Sequence, residues 1–143
     1  MKITTKGRYA VMAMVDLAVQ GGAKPTPLAD IAGRRDISLA YLEQLFCKLR
    51  RARLVRSVRG PGGGYLLARS GAEVRICEIL RAVDEQIRCC DQGAPGAALD
   101  PTLDLWLGLG HRIEHYLSSI SLADVAEGRV AGAGRELVSD AAD

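Results

Sequence analysis

Residues 58–65 read Val58-Arg59-Gly60-Pro61-Gly62-Gly63-Gly64-Tyr65. Four glycines in five positions let the chain reverse through positive φ angles that other residues resist. On either side, Leu54-Val55-Arg56-Ser57-Val58 and Tyr65-Leu66-Leu67-Ala68 predict two short strands. From residue 44 to residue 72 the chain carries Lys48, Arg50, Arg51, Arg53, Arg56, Arg59 and Arg69, with no Asp or Glu. A cationic helix running into a tight hairpin with Arg59 at its tip is the pattern of a helix-turn-helix with a wing. Such a surface exists to meet a polyanion, and double-stranded DNA is the first candidate. The turn lacks the trailing Lys-Ser/Thr of a nucleotide-binding loop, which argues against an ATP cradle.

Working upstream, residues 5–20 predict a helix with Ala10, Ala13, Met14, Leu17 and Ala18 at helical spacing, stopped by Gly21-Gly22. A second helix is expected from Thr26-Pro27, with Thr as N-cap, Pro in the first helical position and Gly33 as its end. Ser38 then caps a third helix whose apolar stripe is Leu42, Leu45, Phe46 and Leu49. Ser38, Tyr41, Glu43 and Gln44 fall off that stripe. Gln can bond adenine bidentately, Glu can accept from the cytosine amino group, and Ser and Tyr can reach bases or phosphates. A polar helix face is by itself ordinary; the arginine-rich hairpin next to it tips the reading towards DNA. The candidate DNA-binding residues are Ser38, Tyr41, Glu43, Gln44, Lys48, Arg51, Arg56, Arg59 and Gly60, with Arg59 suited to the negative potential of a narrow minor groove.

Downstream, a helix is expected over about 75–84. A Gly-, Ala-, Pro- and Asp-rich loop over 85–101 carries Cys89-Cys90, and a longer helix starts near Thr102. Trp106, Ile113 and Ile120 are seven apart, with Leu109 and Leu117 beside them. That stripe suggests a helix–helix seam between two copies of the chain. Ser121 and Asp124 have the spacing of a capping box for one last short helix. The expected fold is mainly α with a small β-hairpin wing, a winged helix-turn-helix plus a long dimerisation helix. Its parts are a DNA-binding domain at 1–84, a sensor loop at 85–101, the dimerisation helix and a short C-terminal helix at 102–127, and a flexible tail at 128–143.

The 143 residues sum to a net charge of only +2, but the charge is divided unevenly. Residues 1–72 hold thirteen Lys and Arg against four acids, and residues 73–143 hold six against thirteen. Only the first half offers a surface for phosphates; the second reads as a dimerisation or regulatory part. One Trp, one Phe and four Tyr are too few for the stacking platforms of a single-strand binder. No apolar run is long enough for a membrane span, and Met1-Lys2-Ile3-Thr4-Thr5-Lys6-Gly7 has no signal-peptide core. A cytoplasmic location is expected, in which Cys47, Cys77, Cys89 and Cys90 stay reduced.

Three blocks in order, Met1 to Ala10, Ile37-Ser38-Leu39-Ala40-Tyr41-Leu42-Glu43-Gln44-Leu45-Phe46, and Ser57 to Tyr65, closely resemble the IscR-like family of iron–sulfur cluster regulators, winged helix-turn-helix repressors. The resemblance covers residues 1–84 and resumes from Leu105-Trp106 to Val125. It implies a homodimer with a long dimerisation helix, bound to palindromic operator DNA. It places Ser38, Tyr41, Glu43 and Gln44 in the major groove and Arg59 in the minor groove.

The loop departs from that family. Its members are expected to hold a 2Fe–2S cluster with three cysteines and a following histidine, whereas residues 91–100 contain no cysteine and the histidine position falls near Leu103. Only Cys89 or Cys90 can stand for the first ligand. Any cluster would be atypical, completed by groups such as Asp91, Asp100, Asp104, His111 or His115, or by the other subunit. His111 and His115 are four apart and share a helix face, a spacing compatible with metal but equally that of an ordinary polar face. Cys47 and Cys77 read as packing residues within helices. Three readings of the loop follow: an atypical cluster, a cluster-free regulator answering to thiol state, a small molecule or a protein partner, and a small thiol oxidoreductase. The last lacks a Cys-x-x-Cys motif and a βαβ context, and no catalytic constellation appears elsewhere, so the chain is not read as an enzyme.

Overall fold

The computed structural model of the chain describes residues 3–20, 22–85 and 100–130. Three helices come first: α1 (Thr5–Gln20), α2 (Leu28–Arg35) and α3 (Leu39–Arg51). An antiparallel hairpin follows, β1 (Val55–Val58) and β2 (Gly64–Leu67), then α4 (Ile76–Ala82), α5 (Leu103–Ser119) and α6 (Leu122–Ala126). The mainly helical fold with a two-stranded wing is as the sequence predicts.

The core gathers where the apolar stripes of these helices converge. Ala10, Ala13, Met14 and Leu17 of α1 meet Ile31 of α2, Leu42, Leu45, Phe46 and Leu49 of α3, Val55 of β1 and Ile79 of α4, all buried. α6 closes the same core: Leu122 is fully buried and packs with α1. Backbone bonds hold it there, from Leu122 N–H to the Val74 carbonyl at 2.8 Å and from Ile76 N–H to the Ile120 carbonyl at 3.0 Å. The Ser121–Asp124 capping box forms as the spacing predicts, each residue's side chain accepting from the other's backbone N–H.

The helix-turn-helix differs in detail from expectation. Thr26 does not cap α2. Its N–H and carbonyl both pair with Tyr65, at 3.0 and 2.9 Å, which adds a third edge to the hairpin. Pro27, extended at φ −65° and ψ 143°, takes the N-cap position. Gly33 does not end the helix, which runs on to Arg35 and stops at Asp36 in the left-handed region (φ 53°). The extension has a tertiary cause. The fully buried Asp16 carboxylate on α1 accepts from Arg34 at 2.7 and 3.2 Å and from Arg35 at 2.9 Å, fastening the last turn of α2 to α1. Burial alone would raise the carboxyl's pKa. The two guanidinium groups outweigh it and hold the group below its ordinary value of 3.8.

The hairpin register is Val55 with Leu67, Arg56 with Leu66, Ser57 with Tyr65 and Val58 with Gly64. Its reversal is a type II turn: Pro61 and Gly62 (φ 73°) occupy the central positions, and Gly63 N–H donates to the Gly60 carbonyl at 2.9 Å. Gly64 is dictated by crowding, since a Cβ there would lie 2.4 Å from the Thr26 carbonyl.

Candidate nucleic-acid interface

The third helix presents its faces as its sequence demands. Leu42, Leu45, Phe46 and Leu49 are buried, while Leu39, Ala40, Glu43 and Gln44 are exposed. Ser38 is exposed and is the N-cap of α3: its Oγ accepts from Tyr41 N–H at 3.3 Å. That leaves its hydroxyl hydrogen and one lone pair at the open first turn. Tyr41 is half-buried, its ring edge-on to Tyr9 with centroids 5.9 Å apart, so the apolar body of the ring is seated against α1. Ser38, Tyr41 and Gln44, with Glu43 beside them, are brought to one exposed side of the first two turns.

Arg51, Arg56, Arg59 and Gly60 are all exposed. Arg59 stands between the end of β1 and the turn, with Gly60 (φ 98°) after it. The wing is not free to swing. Tyr65 of β2 packs on Phe46 of α3 with ring centroids 4.9 Å apart at 64°, and Leu54 N–H donates to the Leu49 carbonyl at 3.1 Å. Helix face and wing tip are thus carried on one packed unit. Arg50 and Arg53, part of the cationic run but not among the candidate contacts, are exposed as well. Among the described residues Arg50, Arg51, Arg53, Arg56 and Arg59 enter no ion pair, whereas Arg69 is bound to Glu78 at 3.0 Å. Lys48 differs from its neighbours: it is half-buried and its ammonium lies 2.9 Å from the Asp84 carboxylate.

The helix expected to form a seam is only partly available for one. No residue of α5 is fully buried. Trp106 and Leu109 are 38 and 41 % exposed, and Leu105 and Tyr116 lie open beside them. At the other end of the stripe Leu117 and Ile120 pack against the chain's own core, and Ile113 is half-buried.

Cys89 and Cys90 lie outside the described residues. Cys47 is half-buried on α3 and Cys77 is buried on α4, each a free thiol. His111 and His115 are exposed on α5. Asp100 is already engaged, accepting from Thr102 N–H at 2.8 Å and from the Thr102 hydroxyl at 2.6 Å; these bonds hold its carboxyl below the ordinary value. Among the described residues no three His, Cys, Asp or Glu side chains are grouped to hold a metal ion. Nor is any described helix long and apolar enough to cross a membrane.

Two residues that matter to this architecture escaped the sequence reading. Asp16 had a usable signal, a lone acid inside an otherwise apolar helix facing an Arg-Arg pair. Asp84, the partner of Lys48, had none, because the two are 36 positions apart.

Comparison with known proteins agrees with this fold. The profile of the Rrf2 family, described as iron-dependent transcriptional regulators, matches residues 3–128. The HTH-type transcriptional regulator IscR of Photorhabdus laumondii subsp. laumondii is 50% identical over 129 residues, 87% of this chain and 79% of that protein. Among solved structures, T. potens IscR superposes with a TM-score of 0.76 at 40% identity, covering 90% of this chain and 88% of the other. CymR, the global cysteine regulator of B. subtilis, reaches 0.76 at 35% identity over 89% of this chain and 97% of its own.

Proposed function

The chain belongs to the Rrf2 family of transcriptional regulators, and from that premise we propose that it binds palindromic operator DNA as a homodimeric repressor and senses through its 85–101 loop. It is a DNA-binding regulator and not an enzyme, as its IscR relatives are. The observation that supports the mode of binding is the joint placement of two surfaces. The open side of α3, with Ser38, Tyr41, Glu43 and Gln44, and the wing tip at Arg59 and Gly60 are carried on one packed unit. A recognition helix enters the major groove while a wing reaches the adjacent minor groove. Arg51, Arg56 and Lys48 lie where the helix and hairpin leave the bases, and serve the phosphates.

Dimerisation is assigned to the exposed side of α5. Trp106, Leu109, Leu105 and Tyr116 leave an apolar surface that one copy does not cover. A two-fold dimer supplies the two reading heads a palindrome requires. Work on DNA places the protein in the cytoplasm.

The donor set does not fit the cluster that the resemblance implies. A two-iron cluster takes four protein ligands, preferably thiolates. The loop provides two adjacent cysteines, Asp100 is committed to Thr102, and His111 and His115 stand on α5 without a third partner among the described residues. The sensing chemistry of this chain is that of the Cys89-Cys90 thiols; a structural relative, CymR, is the global cysteine regulator of B. subtilis. Iron and sulfide analysis with visible absorbance of anaerobically purified protein, beside the Cys89→Ala, Cys90→Ala double variant, tests this. Colourless wild type whose operator affinity changes on thiol oxidation, with the change lost in the double variant, supports the reading. A chromophore with bound iron that the double variant loses overturns it in favour of an atypical cluster.

A further inference from the structure

Gln44 and Lys48 are one turn apart on α3, so Lys48 continues the exposed side of the recognition helix to where that helix must leave the groove and meet the phosphates. In this position an ammonium would be expected to point to water. Instead its Nζ is 2.9 Å from Oδ2 of Asp84. Asp84 follows α4 in the left-handed region (φ 60°), an uncommon backbone for a residue with a side chain. It is kept there from both sides. Its carbonyl accepts from Lys6 Nζ at 3.5 Å and its N–H donates to the Arg81 carbonyl at 3.1 Å. Next to it, the buried Glu85 carboxylate accepts from Thr4 N–H at 2.8 Å and from the Thr4 hydroxyl, and its stem packs on Gly7. The Asp84 side chain itself is 73 % exposed, so its bond to Lys48 can be exchanged without disturbing the core. Of the exposed-side cations between residues 44 and 59, Lys48 alone is paired among the described residues.

We propose that Asp84 is an intramolecular surrogate for a DNA phosphate: it occupies Lys48 in the free protein and must be displaced when the ammonium turns to the DNA backbone. A carboxylate oxygen and a phosphate oxygen offer an ammonium the same charge-assisted hydrogen bond. The exchange therefore removes the benefit of one phosphate contact from binding to any duplex. It acts as a brake on sequence-independent affinity and leaves base discrimination untouched. This rests on the DNA-facing assignment of α3.

The test is a double-mutant cycle, Asp84→Asn, Lys48→Gln and both together. It is read by fluorescence anisotropy on a selected palindrome and on a random duplex over a range of salt. Asp84→Asn should tighten both duplexes by the same factor, roughly two- to fivefold, as expected for an exposed ion pair. Its salt slope should stay close to that of wild type, since the same phosphate is neutralised in both complexes, whereas Lys48→Gln should lower the slope by about 0.9. In the Lys48→Gln background, Asp84→Asn should do nothing. Thermal melts should fall by only a few degrees, the cost of one exposed ion pair; Asp84→Ser serves as a second variant. Equal tightening in both backgrounds would show that Asp84 acts through its general field, and would overturn the proposal alone. No tightening at all would do the same. Wild type that binds no duplex at any salt would overturn the DNA-facing assignment and this proposal with it.

Discussion

Asp16 illustrates how one side chain ties sequence to architecture. It is the one acid on the buried side of α1, and it holds both Arg34 and Arg35. Removing one partner of a fully buried pair costs about 3–5 kcal/mol; because Arg34 and Arg35 keep contact with water, Asp16→Ala should cost about 2–3 kcal/mol in denaturant melts. The carboxyl also gives a pH signature. Its folded-state pKa lies below the ordinary 3.8, so its stabilisation is complete above that value and is lost as pH falls through the folded value. Glu85 behaves alike: burial pushes its carboxyl up, but hydrogen bonds from Thr4 and Gly7 and the nearby Lys6 hold it below its ordinary 4.5. Unfolding free energy should therefore begin to fall below about pH 4.5, and Asp16→Asn should flatten the steepest part of that fall. At Gly64 the constraint is space. An alanine Cβ would meet the Thr26 carbonyl, so Gly64→Ala should destabilise by about 1–3 kcal/mol through forced backbone shifts, measured by thermal or chemical denaturation.

Among the elements, the wing and α5 carry the strongest functional expectations. Arg59 has no intramolecular partner among the described residues and stands beside a rigid type II turn. Arg59→Ala should weaken operator binding by about 1–3 kcal/mol, in gel shift or anisotropy, with little change in stability. On α5 the two ends of the apolar stripe part company. Leu117 and Ile120 are used by the chain's own core, whereas Trp106 and Leu109 are not. Leu109→Asp should thus leave the fold intact and raise the dimer dissociation constant roughly a hundredfold or more, about 3 kcal/mol. An unchanged dimer for that variant in sedimentation equilibrium would place the seam elsewhere.

For the molecule as a whole, charge is segregated. The basic excess lies in the half that bears α3 and the wing, and the acidic excess in the half that bears α5. The affinity for DNA should fall linearly on a log–log plot against salt, with a slope of about 0.9 per phosphate neutralised. A non-specific duplex should show the same dependence at lower affinity. A flat salt response would contradict a binding surface built on Arg50, Arg51, Arg53, Arg56 and Arg59.

Residues 58–65, the stripe of α3 and the Ser38 and Ser121 caps were legible along the chain, because turns, helical periodicity and caps are written in neighbours a few positions apart. From them followed the helix-turn-helix, the hairpin and the cationic character of the interface. What stayed hidden depended on partners distant in sequence. Thr26 lost its capping role to Tyr65, the end of α2 was decided by Asp16 on another helix, and the seam stripe of α5 was divided by a core that α6 and α1 complete. The state of Lys48 belongs to the same class. Local spacing marks it as a free cation on a recognition helix. Only the folding of residue 84 against residue 48 gives that charge a competitor, since an ion pair is governed by distance in space, which the order of the chain does not contain.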